Sequence, residues 1–431
     1  MAESFNKKIC ILGLGYVGLP LALAFSKKYK TIGFDIDQNK INSLKKGNDI
    51  EGQFSKKQII NHKNLNFSYI PHDMDFSDFY IIAVPTPINN KNKPNLEYLY
   101  KACKLVGQRK FRNATIIFES TVYPGLTEEI CIPLIEKISK KKWKKDFFIG
   151  YSPERINPGD KIHKLESITK VISADSKTTL KKLKHLYNNI IDVGTYSAKS
   201  IKVAEAAKII ENTQRDINIA LMNELSLICN KLNISTYDVL KTARTKWNFI
   251  DFKPGLVGGH CIGVDPYYLS HKAKIMKHNP LIINAGRKIN DNMHKVIQNK
   301  IIKILNNNFR KKITFIGITF KSDCADTRNS KIILLISNLI KNGFKNIDIF
   351  DPLVNNRDLS KNNGLKLKSF KDLSKSDFLV VGSYHKIIDQ KIGKTKFIKL
   401  LKKGGNLFDI NWHFYDYFES KKPSNINYYS L

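Results

Sequence analysis

Along the first third of the chain, short apolar runs alternate with longer amphipathic stretches, and glycine, proline or hydroxyl residues close each run. That alternation predicts buried parallel strands separated by helices. Ile9-Cys10-Ile11-Leu12 reads as a strand, Leu19 to Lys27 as the helix after it, and Thr31-Ile32-Gly33-Phe34-Asp35 as a second strand. Further strands are expected at Phe79–Val84, Thr115–Phe118 and Phe147–Gly150. From about Lys199 to Leu232 neither Gly nor Pro occurs and the pattern turns helical. A second helical stretch, from about Leu281 to Asn306, is expected to cross between domains. Beyond it the first pattern returns, with strands at Lys312–Gly317, Ile347–Asp351, Phe378–Gly382 and Gly405–Asp409 and a helix from about Asn329 to Lys341. The expected fold is α/β: two doubly wound domains, 1–197 and 307–431, joined by a mostly helical region, 198–306.

Composition narrows the picture in two places. The net charge of +34 raises the possibility of a nucleic-acid partner. Lysines are spread through the whole chain, however, with one dense cluster at Lys140–Lys145, and neither zinc-finger spacing nor an RNA-binding aromatic signature is present. The expectation is no nucleic acid. The six cysteines are scattered without a C-x-x-C pair, which argues against zinc and against a disulfide framework and suits a reducing cytoplasm. Lys7-Lys8 followed by apolar residues to Phe25 mimics a signal peptide, but its glycines, its proline and the strand after it read better as strand, turn and helix. No stretch is expected to span a membrane.

The turn Gly13-Leu14-Gly15-Tyr16-Val17-Gly18 carries G-x-G-x-x-G between a strand and a helix. Gly13 allows the tight turn, Gly15 lets backbone reach a pyrophosphate, and Gly18 lets helix and strand pack closely. Asp35 closes the second strand where an acid would take ribose hydroxyls and repel a 2′-phosphate. A Rossmann-like domain binding NAD rather than NADP is the expectation, with Lys40 the one nearby residue pulling the other way. Pro85-Thr86-Pro87, Glu119-Ser120-Thr121 and Tyr151-Ser152-Pro153-Glu154 each follow a strand's carboxyl end, where open α/β sheets place ligands. Glu205, Lys208 and Asn212 share one helix face, for which the ordinary reading is a solvated surface. In the C-terminal repeat, Lys321 and Arg328 flank the first turn and could bond phosphates.

Between the two halves lies Pro254-Gly255-Leu256-Val257-Gly258-Gly259-His260-Cys261-Ile262-Gly263-Val264-Asp265-Pro266. A thiol set among glycines can be approached closely, and an acid four residues on can steer a proton or a water. A buried cysteine in a turn is the competing reading.

Taken together, Gly13–Gly18, Pro85-Thr86-Pro87, Glu119–Val122, Ser152–Arg155, Glu205–Lys208 with Asn212, Gly258–Asp265, and Phe320–Asp323 with Asp326–Arg328 resemble the UDP-glucose/GDP-mannose dehydrogenase superfamily over nearly the whole chain. Ser152–Gly159, Thr245–Phe249 and Gly258–Leu269 are similar to the bacterial branch that oxidises UDP-N-acetylhexosamines. Pro158 stands where the UDP-glucose branch usually has a second glutamate.

The resemblance implies oxidation of a C6 alcohol to a carboxylate with two NAD⁺ in succession, through a thiohemiacetal and a thioester on Cys261. It gives Lys208 and Asn212 the reacting oxygen, Asp265 a proton or water, Glu154 the hydrolytic half, and Thr121 a water. For the cofactor it implies Gly13, Gly15, Tyr16, Val17, Gly18, Asp35, Lys40, Pro85, Thr86, Ser120, Thr121 and Arg328. For a UDP-sugar it implies Glu154, Arg155, Lys208, Asn212, Phe249, Lys253, Gly258, Phe320 and Lys321. No metal is implied. His260 is read as shaping the sugar pocket rather than as a base, and the family's dimer forms through the central helices. UDP-glucose, UDP-ManNAc and GDP-mannose remain open as substrates.

Overall fold

The computed structural model describes residues 7–156, 164–356, 359, 364–421, 423 and 425–431. The chain divides into two compact units. The first runs to Glu211 and takes back Tyr267–Asn279; the second comprises Asn212–Pro266 and Pro280–Leu431.

The first unit is built on an eight-stranded sheet: β1 (Lys8–Leu12), β2 (Lys30–Phe34), β3 (Leu65–Ser68), β4 (Phe79–Ile82), β5 (Ala114–Phe118), β6 (Phe147–Tyr151), β7 (Lys170–Ala174) and β8 (Thr195–Ser197). Their order across the sheet is β3-β2-β1-β4-β5-β6-β7-β8, with β6–β7 the antiparallel pair. The first six strands have the 3-2-1-4-5-6 order of a doubly wound dinucleotide fold, whose strand order reverses between β1 and β4. The strands are near-continuous apolar runs because the interior strands are covered on both faces. The helix Gly18–Ser26 is buried along its whole length, so the apolar stretch that mimics a signal peptide is a core helix. Ile11, Phe25, Ile81, Ile117, Leu183 and Tyr187 belong to the same core.

The second unit carries a five-stranded, wholly parallel sheet: β9 (Ile313–Ile316), β10 (Ile347–Phe350), β11 (Ser376–Val381), β12 (Leu401–Asp409) and β13 (Ile426–Ser430). The order β10-β9-β11-β12-β13 is the other common doubly wound arrangement, with its switch point between β9 and β11. The helix Lys331–Lys341 covers it through Ile332, Ile333, Leu335, Ile336 and Leu339.

The helix Ile201–Leu232 runs 32 residues without a break and passes from the first unit into the second. The helix Asp265–Ile275 begins in the second and ends in the first. Leu281–Ile304 lies within the second unit and packs on the Lys331–Lys341 helix. Four strands were not expected: β3 is four residues long with only its last two buried, β7 opens on a lysine, and β8 and β13 contain no fully buried residue. Among the described residues no helix is long and apolar enough to cross a membrane.

Candidate active site

At the end of β1 the chain turns at Gly13 with φ +91°, and a Cβ there would lie 2.8 Å from the Ala83 carbonyl oxygen. Gly18 is pressed against the Gly13 carbonyl, so both outer glycines are required by packing. Gly15 differs: a Cβ would meet no protein atom within 4 Å. Packing does not require glycine there, and the bare backbone leaves room for another molecule to approach. The helix beginning at Gly18 has no side-chain cap at Val17 and no acid in its first turn, which suits a pyrophosphate. Asp35 stands just past β2; it accepts the Leu14 N–H at 2.9 Å and the Asp37 N–H at 3.0 Å. Lys40 lies 4.0 Å from Asp35 and 3.5 Å from Glu51, so its charge is held between two carboxylates. These residues fit a dinucleotide with a ribose diol.

The loops after β4 and β5 are fixed from within the same unit. The Tyr268 hydroxyl donates to the carbonyls of Thr86 (2.9 Å) and Pro87 (3.2 Å), which sets the loop carrying Pro85 and Thr86. Ser120 spends its hydroxyl proton on the Val84 carbonyl at 2.7 Å, tying the two strand ends together. Thr121, next along, is half-buried. Its loop is anchored by Glu205, fully buried, whose carboxylate accepts N–H from Gly125 (2.5 Å) and Thr127 (3.0 Å). Burial pushes the Glu205 carboxyl up to about 7, against the pull of those hydrogen bonds. One turn along, Lys208 is buried rather than solvated, so the polar face of this helix points inward. Sequence periodicity assigned that face to solvent because it scores charge, not burial.

Glu154 follows β6 and is buried; one carboxylate oxygen accepts the N–H groups of Arg155 and Ile156. Arg155 is held by the Thr169 carbonyl (3.0 Å) and Glu211 (2.9 Å). Behind Glu154 stand Glu119, which the sequence placed in a strand-end motif, and Lys170 and Tyr187, which it did not single out; all three are buried. The segment Asn157-Pro158-Gly159 lies outside the described residues.

In the second unit, Cys261 sits in the turn before the helix Asp265–Ile275, and its carbonyl accepts the Asp265 N–H at 2.9 Å. Its side chain is exposed, whereas the other five cysteines are buried. Burial pushes the thiols of Cys10, Cys131 and Cys324 up, away from the reactive thiolate. Asp265 is buried and accepts a hydrogen bond from the Asn212 side-chain amide at 2.6 Å, so the acid beside the cysteine and the amide from the long helix meet directly.

The glycine pair before the cysteine is set by packing. A Cβ at Gly258 would lie 2.7 Å from the Asn329 carbonyl, and one at Gly259 (φ +82°) 2.6 Å from the Phe320 ring. Further back, the Asn223 amide grips both backbone groups of Gly255, at 2.8 and 3.0 Å. His260 is bonded to Asp326 at 2.9 Å, and Arg328 folds back onto the same carboxylate at 2.7 Å. Burial alone would favour the neutral acid, but these hydrogen bonds hold Asp326 well below the usual carboxylate range. Phe320 and Lys321 follow β9, where the Thr319 hydroxyl donates to the Lys321 carbonyl at 2.8 Å. Phe249 packs with Met222, Leu240 and Trp412 in a small core, and Lys253 is exposed.

The chain matches the UDP-glucose/GDP-mannose dehydrogenase family in three parts: the NAD-binding domain over residues 7–191, the central domain over 202–292 and the UDP-binding domain over 314–414. It is 48% identical over 411 residues to protein CapL of Staphylococcus aureus, covering 94% of this chain and 96% of that protein. It is 46% identical over 387 residues to the UDP-N-acetyl-D-glucosamine 6-dehydrogenase of Salmonella typhi, covering 89% and 91%. A UDP-D-ManNAc dehydrogenase structure from Pyrococcus horikoshii superposes with a TM-score of 0.86 at 27% identity, covering 98% of this chain and 99% of that one. With its glycine turn, two doubly wound sheets and single exposed cysteine, this chain belongs to the UDP-glucose/GDP-mannose dehydrogenase family and is an NAD-dependent nucleotide-sugar dehydrogenase.

Proposed function

We propose that the chain oxidises C6 of a UDP-N-acetylhexosamine, UDP-GlcNAc or UDP-GalNAc, to the uronic acid for surface polysaccharide synthesis. The observation that carries this reading is the exposed Cys261 thiol beside a buried Asp265–Asn212 pair. The choice of sugar is supported by 46% identity to a UDP-GlcNAc 6-dehydrogenase, against 33% to a UDP-N-acetyl-D-mannosamine dehydrogenase of Campylobacter jejuni.

NAD⁺, held by Gly13–Gly18 and Asp35 with Pro85, Thr86 and Ser120 in the neighbouring loops, supplies a hydride acceptor and is used twice per sugar. The chain's own residues do the rest. Lys208 stabilises negative charge on the C6 oxygen, and Asn212 holds Asp265 in place to accept or pass a proton. The Cys261 thiolate adds to the aldehyde carbon, forming a thiohemiacetal that becomes a thioester on the second oxidation. Glu154 takes a proton from the water that opens the thioester, and Thr121 orients that water. Arg155, Phe249, Lys253, Gly258, Phe320 and Lys321 bind and shape the place of the UDP-sugar, while His260, fixed by Asp326, walls the sugar side.

We assign a cytoplasmic homo-oligomer, a dimer or higher, with its dimer formed through the central helices. On Ile201–Leu232 the exposed residues Val203, Ile210, Leu221, Ile228 and Leu232 fall on one stripe, the pattern of a helix seeking a partner. Incubation with NAD⁺ and a panel of UDP- and GDP-sugars tests the reaction: two NADH per sugar acid are expected, with UDP-GlcNAc or UDP-GalNAc the preferred substrate. One NADH per sugar would sink the thioester scheme. Cys261→Ser should abolish net acid formation, and undiminished turnover would remove Cys261 from the mechanism.

A further inference from the structure

Lys170 is one of the most deeply buried lysines in the chain, at 3% exposure, and stands at the start of β7. An ionised lysine survives such burial only when paired and hydrogen-bonded. Its ammonium lies 2.5 Å from Glu119, 3.2 Å from the Pro153 carbonyl, 3.9 Å from Glu154 and 5.7 Å from the centre of the Tyr187 ring. Tyr187 donates to the other Glu119 oxygen at 2.5 Å. Four separate elements thus place two carboxylates, an ammonium and a phenol at one spot: the ends of β5 and β6, the start of β7, and the helix Lys177–Asn188. The Glu154 oxygen nearest Lys170 is buried and accepts no hydrogen bond, while its other oxygen takes two backbone N–H groups. A core needing only stability would not gather three ionisable groups here, since a buried triad of this kind is readily replaced by apolar packing.

We propose that Lys170 is a positioning residue for the hydrolytic half of the reaction: tied to Glu119 and the Pro153 carbonyl, its ammonium supplies the positive field that holds the buried Glu154 oxygen ready for the water. The proposal rests on the assignment of Glu154 made above. In that step the water oxygen bonds to the thioester carbon and one water proton goes to Glu154. The C–S bond breaks with its electron pair on the Cys261 sulfur, and the sugar leaves as a carboxylic acid. Lys170 exchanges no proton; it sets the charge that Glu154 sees. Burial pushes Glu119 up to about 7, against the pull of Lys170 and Tyr187. Among the described residues Arg155, engaged by Glu211, is a further charged neighbour.

The test follows the acyl adduct on Cys261 by intact-protein mass spectrometry after acid quench, using NAD⁺ and whichever UDP-sugar yields NADH, across pH 5.5–9. Removing the cation takes its field away from Glu154, so Lys170→Met should slow adduct decay about tenfold at pH 7 and shift its rising limb to higher pH. Glu119→Gln gives the ammonium wholly to Glu154 and should shift the limb the opposite way, to lower pH. Lys170→Arg should restore the parental profile. A loss of rate with no shift of the limb, or shifts of one sign in both variants, would overturn the proposal. If Lys170→Met does not fold, the isosteric Glu119→Gln still gives the sign. Glu154→Gln separates the two ideas: unchanged decay there takes down the Glu154 assignment and this proposal with it. Slow decay there beside an unshifted limb in Glu119→Gln takes down the proposal alone.

Discussion

The two sheets open with the same turn and use it differently. β1 ends at Gly13 (φ +91°) and β9 at Gly317 (φ +74°). Each glycine N–H bonds the carbonyl of the last residue of the neighbouring strand at 2.8 Å, Phe34 in one sheet and Phe350 in the other. The next N–H bonds an acid just past that strand: Leu14 to Asp35 at 2.9 Å, Ile318 to Asp351 at 2.8 Å. The surroundings of the acids then part. The Asp35 carboxylate keeps 14% of its surface, with Lys40 beside it. Asp351 is sealed at 0%, against the equally buried His385 at 3.1 Å. In the first sheet the helix starts at Gly18, close enough to offer its N-terminus to a diphosphate. In the second it starts only at Lys331, after a loop carrying Phe320, Lys321, Asp326 and Arg328. A shared backbone turn therefore does not mean a shared ligand. The exposure of one carboxylate and the length of one loop separate a dinucleotide site from a site of another kind.

The comparison breaks most readily at its glycines. Gly317→Ala drives a Cβ into the Ser383 carbonyl at a φ that side chains avoid, and should cost several kcal/mol, read as a lowered Tm or insoluble protein. Gly15→Ala meets nothing within 4 Å, so the Tm should hold while NAD⁺ binding by calorimetry weakens about tenfold. Normal NAD⁺ affinity in Gly15→Ala would mean that the first turn is no more open to a ligand than the second. The acids should cross over in the same way. Asp351→Asn should cost about 1–3 kcal/mol of stability, through its mismatched buried partners, and leave NAD⁺ affinity alone. Asp35→Asn should mainly weaken NAD⁺ binding and improve that of NADP⁺.

A smaller effect concerns pH. Burial pushes Glu205 in the first unit up to about 7 and Asp409 in the second up to about 6. A carboxyl whose pKa is raised by folding favours the folded state in its protonated form. Its stabilisation is complete below the ordinary carboxylate range and is lost as pH rises through the raised value. Denaturant titrations of Glu205→Gln should therefore lose part of the stability decline seen between about pH 4.5 and 7. Asp409→Asn should lose part of the decline between about pH 4 and 6. A decline of unchanged steepness in both variants would assign the linkage to other groups.

Legibility followed the range of each interaction. The glycine spacing and the acid after β2 were readable because turn, strand and acid are joined by local chain geometry. Periodicity alone would leave Lys208 solvated, since a polar face on a helix predicts solvent unless something polar covers it; only the family resemblance put Lys208 and Asn212 in a site. Here the Gly125 and Thr127 N–H groups cover Glu205, and Asp265 covers Asn212. Lys170 gave no signal at all, because its partner Glu119 is 51 residues away and β7 has no apolar alternation.

By itself the sequence determined the two α/β halves, the dinucleotide turn, the cysteine segment and the family, all of which depend on spacings within a few turns of chain. Only the tertiary structure decided which of six thiols is exposed, that Lys208 is buried, that His260 is spent on Asp326, and that Asp351 is sealed while Asp35 is not. Each of those is a question of burial and of partners far apart along the chain. Burial is set by how elements pack, a quantity that no local pattern of residues contains.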